Sequence, residues 1–357
     1  MKPFDFVIVG GGIAGVITSY FLQEYKTLVI DKKGILEGAS KAAGAFLFPK
    51  ISTKSSYTEF INLAILEAFK FYENIGIDTH KKGVLILPRD EKDIEKFKEY
   101  EKYITLPFEK RENGFFFRDG GFIEVDEVRE KIKVPFLKEE VVSIKRENNL
   151  WKINDLYAKN IILASGYEKV LEIPYINIRG IWGERIEISG EWEGDLDIFY
   201  HKKCSIAKIK DRLRIGATHK RDCLGCRENE KEAIELIQKA KEVIDIKKYK
   251  IEDIKGGYRA GSIDYFPVVG KIIDVDATLS LHPQIVKGEI PKKVKYIEGL
   301  YIINGMGARG FSNAYLCGKM LKNHIKNNAN LGKIDTTRLF IKWARKEGEK
   351  YLKGKKC

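Results

Sequence analysis

The chain has 357 residues, of which 44% are hydrophobic and 32% are charged, and its formal net charge is +13. This composition excludes an intrinsically disordered or collagen-like chain, and five cysteines are too few for a disulfide scaffold. The length exceeds what a single hydrophobic core usually organises and is sufficient for two.

The positive charge is concentrated near the C-terminus. Residues 319–357 contain 12 Lys or Arg and three Asp or Glu, whereas the other 318 residues contain 52 and 48. Such a segment is typical either of a solvated surface helix or of a surface that binds a polyanion, such as nucleic acid or an anionic membrane. In the second case we expect phosphate contacts from Lys342, Arg345, Lys346 and Lys350.

The start of the sequence leads directly into an apolar strand, without the basic region and cleavage site of a signal peptide. The most apolar stretch, residues 6–22, is interrupted by glycines and is too short to span a membrane as a helix. We therefore expect a soluble, cytoplasmic protein with no membrane partner, in which the cysteines are free thiols.

The first 31 residues predict a βαβ unit, with strands at 4–9 and 27–30 and a helix at 13–25. Gly10, Gly12 and Gly15 fit the pattern G-x-G-x-x-G between the first strand and the helix, and Asp31 follows the second strand. In a dinucleotide site these glycines give a tight turn, a close approach to the pyrophosphate and helix–strand packing, while the acid accepts from ribose hydroxyls. The expected binding residues are Gly10, Gly12, Ile13, Ala14, Gly15, Asp31 and Lys32.

Further along the chain, apolar periodicity predicts helices at 57–75, 91–103, 126–132, 228–243 and 312–325. Strands are predicted at 83–88, 115–117, 141–145, 151–153, 161–164 and 300–303, and alternation over 178–216 indicates an antiparallel sheet. Parallel pieces at both ends with mixed sheet between them indicate a nucleotide-binding domain interrupted by a second domain.

Two later segments favour FAD over NAD. An apolar strand at 161–164 ends in small residues, and a strand, a Gly-rich turn and a helix follow at 301–312, where backbone amides could reach a flavin ring. The alternative for the second segment is a Gly-rich loop before a core helix. The flavin interpretation adds the residues Ala164, Gly166, Gly307, Ala308, Arg309, Gly310 and Phe311 to the site.

The fold class predicted from these features is α/β, with a Rossmann-type, glutathione-reductase-like FAD-binding domain interrupted by a substrate domain that has a mixed or antiparallel sheet. The expected FAD-binding domain comprises residues 1–50, 121–170 and 258–325. The expected substrate domain comprises 51–120 and 171–257, and residues 326–357 form a basic C-terminal segment.

Five segments together resemble the FAD-dependent amine oxidases of the D-amino-acid oxidase and glycine oxidase superfamily. They are the N-terminal fingerprint, residues 38–44, residues 161–166, Arg259 with Asp264 and residues 267–270, and residues 305–313. The resemblance extends the expected non-covalent FAD site to Ser40, Gly44, Ala45 and Val142. Some relatives attach the flavin through a Cys near the Arg block, where this chain has Gly261 and Ser262.

Within the superfamily, the segments are most similar to the oxidoreductase half of the bifunctional tRNA 5-methylaminomethyl-2-thiouridine biosynthesis proteins. The resemblance implies oxidation of the carboxymethylaminomethyl group at position 5 of a tRNA wobble uridine, which gives the aminomethyl form and glyoxylate. It also implies O2 as the electron acceptor and a separate methyltransferase for later methylation. The alternatives are a small-molecule oxidase acting on glycine, sarcosine or a D-amino acid, and a non-catalytic flavoprotein.

Substrate-binding candidates follow from the carboxylate that such a substrate carries, because an arginine binds a carboxylate through two parallel hydrogen bonds. Arg259 corresponds, through the resemblance, to the superfamily's carboxylate-binding arginine. Arg309 is either a second clamp or a flavin contact. Tyr200 is a further catalytic candidate, and Tyr258 is a weaker one.

His219, Asp264 and the pair of cysteines at 223 and 226 each allow more than one role. His219 could contact RNA or nothing, and Asp264 is expected to hold a turn or pair with an arginine. The pair Cys223-x-x-Cys226 is compatible with a zinc or a redox site, but a structural zinc needs four ligands. We therefore expect no metal centre.

Overall fold

Two large sheets organise the part of the chain that the computed structural model describes, residues 2–111, 113–223 and 225–354. The helices are α1 Ile13–Phe21, α2 Ser56–Asn74, α3 Glu91–Tyr100, α4 Val125–Lys131, α5 Glu230–Lys241, α6 Val275–Leu281, α7 Gly310–Asn327 and α8 Thr337–Gly354. The strands are β1 Phe4–Val9, β2 Thr27–Asp31, β3 Phe46–Leu47, β4 Val84–Ile86, β5 Glu109–Arg111, β6 Gly114–Phe117, β7 Gly121–Phe122, β8 Phe136–Lys138, β9 Ile144–Glu147, β10 Leu150–Ile153, β11 Leu156–Leu163, β12 Ile178–Glu193, β13 Phe199–His201, β14 Ser205–Ile209, β15 Arg212–Gly216, β16 Asp245–Ser262, β17 Val268–Ile273 and β18 Tyr296–Asn304.

The first sheet has the strand order β17-β18-β11-β1-β2-β8, and the hairpin β9–β10 continues from β11. Strands β18, β11, β1, β2 and β8 run parallel, and β17 is antiparallel to β18. In β1, Val7 and Val9 pack into one hydrophobic core, and Phe6 and Ile8 pack into another. The strand is therefore buried on both faces, as its continuous apolar run predicts.

The second sheet has the order β16-β12-β15-β14-β13-β4-β6-β5 and is antiparallel except between β13 and β4. Its longest pairing joins β12 to β16 from Ile178↔Ser262 to Glu193↔Asp245, with register shifts after Glu187 and Glu191. Helix α5 packs on this sheet through Ala233, Leu236 and other apolar residues. A parallel nucleotide-binding sheet combined with a largely antiparallel sheet confirms the predicted fold class.

Three features differ from the sequence predictions. Helix α2, expected in the substrate domain, packs with α1 and the start of α7 beside the first sheet. Residues 245–262 form the long strand β16, which the sequence does not predict. The basic C-terminal segment contains α8, whose residues Leu339, Phe340 and Ala344 are buried in the core of the first sheet. Among the described residues, no helix is long and apolar enough to cross a membrane.

Candidate active site

A cavity of about 1010 Å³ opens where strands β1, β2, β11 and β18 end. The loops that follow these strands line one side, and residues of β12, β15 and β16 from the second sheet line the other. The ends of parallel strands are the usual ligand-binding edge of such a sheet. The cavity therefore lies where the sequence predicts a dinucleotide.

The three fingerprint glycines have different surroundings. A Cβ at Gly10 would collide with the carbonyl of Ala164, and one at Gly15 would collide with the carbonyl of Gly10. A Cβ at Gly12 would meet only the hydroxyl of Ser40, at 3.6 Å, and Gly12 lines the cavity. Gly10 and Gly15 therefore let the turn and helix pack, whereas Gly12 leaves open space for a ligand beside the N-terminus of α1.

Asp31 lines the cavity and is held by backbone donors. Its Oδ2 accepts from the amide of Gly11 at 2.8 Å, and its Oδ1 accepts from the amides of Lys33 and Gly34 at 2.7 and 3.1 Å. Three backbone bonds orient the carboxylate and leave acceptor capacity on Oδ2 for a ribose hydroxyl. Lys32, also at the cavity, pairs with Glu168 and Glu140, and these hydrogen bonds raise its pKa to about 12.

The loop at 38–45 closes over the start of α1. The hydroxyl of Ser40 accepts from the amide of Ile13 at 2.9 Å, and Ala14, Gly44 and Ala45 line the cavity beside it. Ser40 thus satisfies one of the free N–H groups at the helix N-terminus.

Val142, predicted to bind the cofactor, lies outside the cavity. Its side chain is 81% exposed, and its amide donates to the side chain of Asn154 at 3.0 Å. The preceding residue, Val141, packs against the core of the first sheet and lines the cavity. Val141, rather than the predicted Val142, therefore lines the cavity, and the run at 141–145 becomes a strand only at Ile144.

Two loops complete the cofactor side of the cavity. Ala164 and Gly166 follow β11, and the carbonyl of Gly166 accepts from the side chain of Asn304 at 2.8 Å. Apart from its chain neighbours, no described residue has a heavy atom within 4 Å of a Cβ built at Gly307, and the residue has a φ of +61°. The other lining residues of this second loop are Ala308, Arg309, Gly310 and Phe311.

Arg259 lies on β16 and reaches into the cavity across β12. Its Nη1 donates to the carbonyl of Thr218 at 3.0 Å, and its guanidinium occupies the space beside the Cα of Gly183. Among the described residues, no carboxylate lies within ion-pair distance of it. Burial lowers its pKa to about 10, so it stays charged at neutral pH and can bind an anion from outside the chain.

Arg309 is the second cavity arginine without a carboxylate partner among the described residues. Its Nη1 donates to the carbonyl of Phe48 at 2.8 Å, and its guanidinium lies 4.8 Å from the centre of the Phe48 ring. Burial lowers its pKa to about 10. These contacts fix Arg309 against the loop before α2, whereas Arg259 is fixed against the second sheet.

Tyr200, a predicted catalytic residue, does not line the cavity. Side chains alternate along a strand, and on β13 Tyr200 packs into the core beneath α5 while His201 faces the cavity. The His201 ring lies 4.4 Å from that of Phe48, and its Nδ1 is 3.0 Å from the hydroxyl of Ser205. The alternation of side chains along β13 is the sequence signal for His201, but which residue faces the cavity depends on the packing of the strand.

His201 is held neutral by its surroundings. Burial lowers its pKa to about 3, and the charges of Arg309, Arg89 and Lys50 act in the same direction. Lys50 is half-buried. Its pKa is lowered mainly by this burial and further by the charges of Arg309 and Arg89. Arg309 is a cation that lines this end of the cavity beside His201.

Tyr258 anchors a loop at the rim of the cavity. Its hydroxyl donates to the carbonyl of Cys223 at 2.9 Å and accepts from the amide of Cys226 at 2.7 Å. Its ring lies 4.6 Å from that of Tyr167 and 4.9 Å from that of Trp182. Tyr258 lines the cavity, but its hydroxyl is used for structure.

Cys223 and Cys226 form a disulfide, with Cα atoms 5.8 Å apart, and Cys226 lines the cavity. The expectation that the cysteines are free thiols is wrong for this pair, and it holds for the buried Cys204 and Cys317. Within the described residues, no group of three or more His, Cys, Asp or Glu could hold a metal ion.

Two other sequence candidates have clear positions. His219 lines the cavity near Arg259, and burial, then the charges of Arg259 and Arg221, lower its pKa. Asp264 forms a bidentate ion pair with Arg338, at 2.8 and 3.0 Å. The prediction that Asp264 pairs with an arginine is confirmed.

Comparison with known families identifies the fold and its cofactor. The family model described as DAO, FAD dependent oxidoreductase, matches residues 5–323. The chain belongs to this family. It is an FAD-dependent oxidoreductase, as the glycine-rich fingerprint and the late loop predict.

The relatives and solved structures that the chain matches include tRNA-modifying proteins and amine oxidases. It is 24% identical over 366 residues to the tRNA 5-methylaminomethyl-2-thiouridine biosynthesis bifunctional protein MnmC of Leptospira interrogans, covering 87% of this chain and 55% of that protein. The corresponding protein of Methylobacillus flagellatus is 20% identical over 367 residues, with coverage of 90% and 56%. The chain therefore spans about half the length of these relatives.

Among solved structures, the chain is similar to glycine oxidase from Geobacillus kaustophilus, with a TM-score of 0.74, 18% identity and coverage of 95% of this chain and 99% of that one. It is also similar to L-alpha-glycerophosphate oxidase from Mycoplasma pneumoniae, described with FAD bound, with a TM-score of 0.71, 15% identity and coverage of 91% and 95%. At these identities the likeness establishes the fold.

The residues of the cavity fit FAD. The open space at Gly12 and the N-terminus of α1 suit a diphosphate, and the oriented carboxylate of Asp31 suits the adenosine ribose. The open positions at Gly166 and Gly307 leave the two later loops free of side chains where a planar ring would approach the backbone. Arg259, on β16, lies on the opposite side of the cavity from these loops.

Proposed function

We propose that the protein oxidises the carboxymethylaminomethyl group at position 5 of a tRNA wobble uridine. The observation that carries the proposal is Arg259, a cavity arginine with no carboxylate partner among the described residues. A guanidinium in this state provides a binding site for the substrate's carboxylate. The likeness to tRNA-modifying proteins over 87% of the chain supports a tRNA rather than a free amino acid as its carrier.

The reaction converts R–NH–CH2–COO⁻ and water into R–NH2 and glyoxylate, with the loss of two electrons and two protons. FAD, when bound, supplies the acceptor for the hydride that leaves the methylene carbon. Arg259 holds the carboxylate, which fixes the adjacent methylene in one orientation. The resulting imine of the substrate is then hydrolysed by water.

The positive surroundings of the cavity assist the chemistry of the amine. Hydride loss requires the substrate nitrogen in its neutral form, and Arg259 and Arg309, which line the cavity, disfavour a further positive charge nearby. His201 remains neutral, so it can accept or donate a hydrogen bond without adding charge. We propose that O2 reoxidises the flavin with release of peroxide, and that a methyltransferase activity methylates the aminomethyl product.

The alternative is a small-molecule oxidase for glycine, sarcosine or a D-amino acid. The fold similarity to glycine oxidase favours it, and Arg259 would hold the carboxylate of such a substrate equally well. The two functions differ in what is attached to the amine.

The test uses FAD-loaded protein, tRNA that carries the carboxymethylaminomethyl group, and nucleoside analysis. We expect conversion to the aminomethyl nucleoside with stoichiometric glyoxylate, and slow turnover of sarcosine. Arg259→Met should lower kcat/KM at least about 100-fold, since charged hydrogen bonds contribute roughly 1.5–3 kcal/mol each. The exposed Arg227→Met is the matched control. Rapid turnover of sarcosine with unchanged tRNA would favour the alternative.

A further inference from the structure

Two segments distant in sequence meet at the C-terminal helix. The side chain of Arg345 in α8 donates to the carbonyl of Gly288 at 2.8 Å. One turn further along α8, a Cβ at Gly348 would lie 2.7 Å from a methyl carbon of Val286, so the glycine allows the helix to approach this segment closely. The contacts hold the start of the segment 287–295 beside α8.

The joined segments form one basic surface. The segment contributes the exposed side chains of Lys287, Lys292, Lys293 and Lys295. The helix contributes the exposed side chains of Lys342, Arg345, Lys346, Lys350 and Lys353. These two stretches contain three acids, Glu289, Glu347 and Glu349. Among the described residues, the nine cations form one ion pair, between Lys346 and Glu347 at 3.6 Å.

Elsewhere in the described chain, cations form ion pairs with nearby acids. Helix α3 contains three lysines and four acids, and its Lys96 and Lys98 pair with acids three residues earlier. In the basic surface the cations greatly outnumber the acids, and mutual repulsion makes such a cluster costly unless counterions or a polyanion neutralise it. The unbalanced charge therefore indicates an anionic partner.

The shape of the surface favours a nucleic acid over a membrane. The apolar face of α8, formed by Leu339, Phe340 and Ala344, is buried in the core and cannot insert into lipid. Three large hydrophobic side chains are exposed nearby, Leu281, Ile290 and Tyr296, which is too few for an insertion face. The exposed part of the basic surface is therefore a row of long cationic side chains, which suits phosphate contacts.

The basic surface begins near the cavity. Arg338, in the first turn of α8, pairs with Asp264, which lies close along the chain to Gly261. Gly261 in turn bridges to Met306, which lines the cavity. From this anchor, the 18 residues of α8 extend about 27 Å at 1.5 Å per residue. A polyanion bound along α8 therefore has one end near the active site.

We propose that this basic surface binds the phosphate backbone of RNA and carries the body of the substrate while one base enters the cavity. That the RNA is a tRNA rests on the proposed function; the charge and geometry of the surface do not depend on it. The surface joins residues of the C-terminal helix to residues of the 287–295 segment, so both must contribute to binding.

The test measures binding of an unmodified tRNA transcript by fluorescence anisotropy at several NaCl concentrations. The variant of the basic surface combines Lys287→Gln, Lys293→Gln, Lys342→Gln and Lys350→Gln. The control combines Lys92→Gln, Lys96→Gln and Lys98→Gln in α3 with Lys102→Gln in the turn that follows it, which removes the same charge. We expect the first variant to bind at least about tenfold more weakly at low salt, with a salt slope smaller by roughly 3, and the control to bind like the wild type.

Equal losses in the two variants, or none in either, would overturn the proposal. Binding of the wild type to vesicles of anionic phospholipid, with no binding to RNA, would overturn it in favour of a membrane partner. Oxidation of sarcosine should be unchanged in the surface variant, which shows an intact active site. If the surface variant loses RNA binding but the wild type leaves the modified nucleoside unchanged, the surface stands and the proposed function fails.

Discussion

The guanidinium of Arg259 occupies the space that a side chain at Gly183 would need. A Cβ at Gly183 would overlap Nη1, Nη2 and Cζ of Arg259. The two residues lie on neighbouring strands, β16 and β12, where Ile181 is the direct partner of Arg259. Because Gly183 on β12 has no side chain, the guanidinium of Arg259 on β16 can reach the cavity.

Gly183→Ala should therefore displace Arg259 without unfolding the protein. The atoms that must move are the end of a long side chain, so the melting temperature should change little. We expect kcat/KM for the carboxylated amine to fall by about 10- to 100-fold, because the charged hydrogen bonds to the carboxylate lose their geometry. Steady-state kinetics and a thermal melt check both parts, and unchanged kinetics would show that Arg259 does not bind substrate from this position.

Gly12→Ala should weaken FAD binding and leave the apoprotein folded. The new methyl group would enter open space where the pyrophosphate approaches, and the only atom within 4 Å is the Ser40 hydroxyl. We expect an FAD Kd at least about tenfold higher, measured by quenching of FAD fluorescence. Gly15→Ala is the contrasting variant: its Cβ would collide with the carbonyl of Gly10, so it should lower the melting temperature of the apoprotein. Wild-type FAD affinity in Gly12→Ala would contradict the assigned diphosphate position.

Stability should fall in mild acid because of His201. Burial lowers the folded pKa of His201 from 6.5 to about 3, so between these values the unfolded chain binds a proton that the folded protein does not. The contribution of His201 to the free energy of unfolding is complete above pH 6.5. It decreases as the pH falls, by at most about 1.4 kcal/mol per pH unit. His201→Gln should flatten the dependence of the free energy of unfolding on pH between 6.5 and 5. An equally steep dependence in the variant would show that other groups cause it.

Loss of the Cys223–Cys226 disulfide should destabilise the fold modestly. Closing so short a loop stabilises by roughly 2 kcal/mol in the chain-entropy model, and the Tyr258 hydroxyl retains part of the loop geometry. We expect dithiothreitol to lower the urea midpoint of the wild type to that of the Cys223→Ser, Cys226→Ser variant. The variant itself should not respond to the reductant. A wild-type midpoint that ignores the reductant would mean that the bond is not formed in solution.

The sequence predicts the nucleotide-binding half of the molecule well, because its determinants are local. Glycine spacing, continuous apolar strands and the acid after β2 lie within one βαβ unit, and the structure places Gly10, Gly12 and Asp31 around one cavity. The late loop is predictable for the same reason, since Gly307 and Arg309 lie just after the buried strand β18.

The second sheet is less predictable because its pairings are distant in sequence. Strand β16 is rich in Lys and Gly and has no clear alternation, and its pairing with β12 makes it a strand. The same dependence on tertiary context explains why Tyr200 was predicted at the site instead of His201. The packing of β13 sets which of its two faces lies at the cavity, and that face carries His201. The partners of the basic segment, Val286 and Gly288, are likewise set by packing that no local pattern encodes.

The most direct measurement of the central claim is the flavin absorbance of FAD-loaded protein mixed anaerobically with tRNA that carries the carboxymethylaminomethyl group. The account predicts bleaching of the flavin in a single turnover, with one glyoxylate released per flavin reduced, and no bleaching in Arg259→Met. A flavin that stays oxidised with this tRNA but is bleached by sarcosine or glycine would contradict the account and identify a small-molecule oxidase.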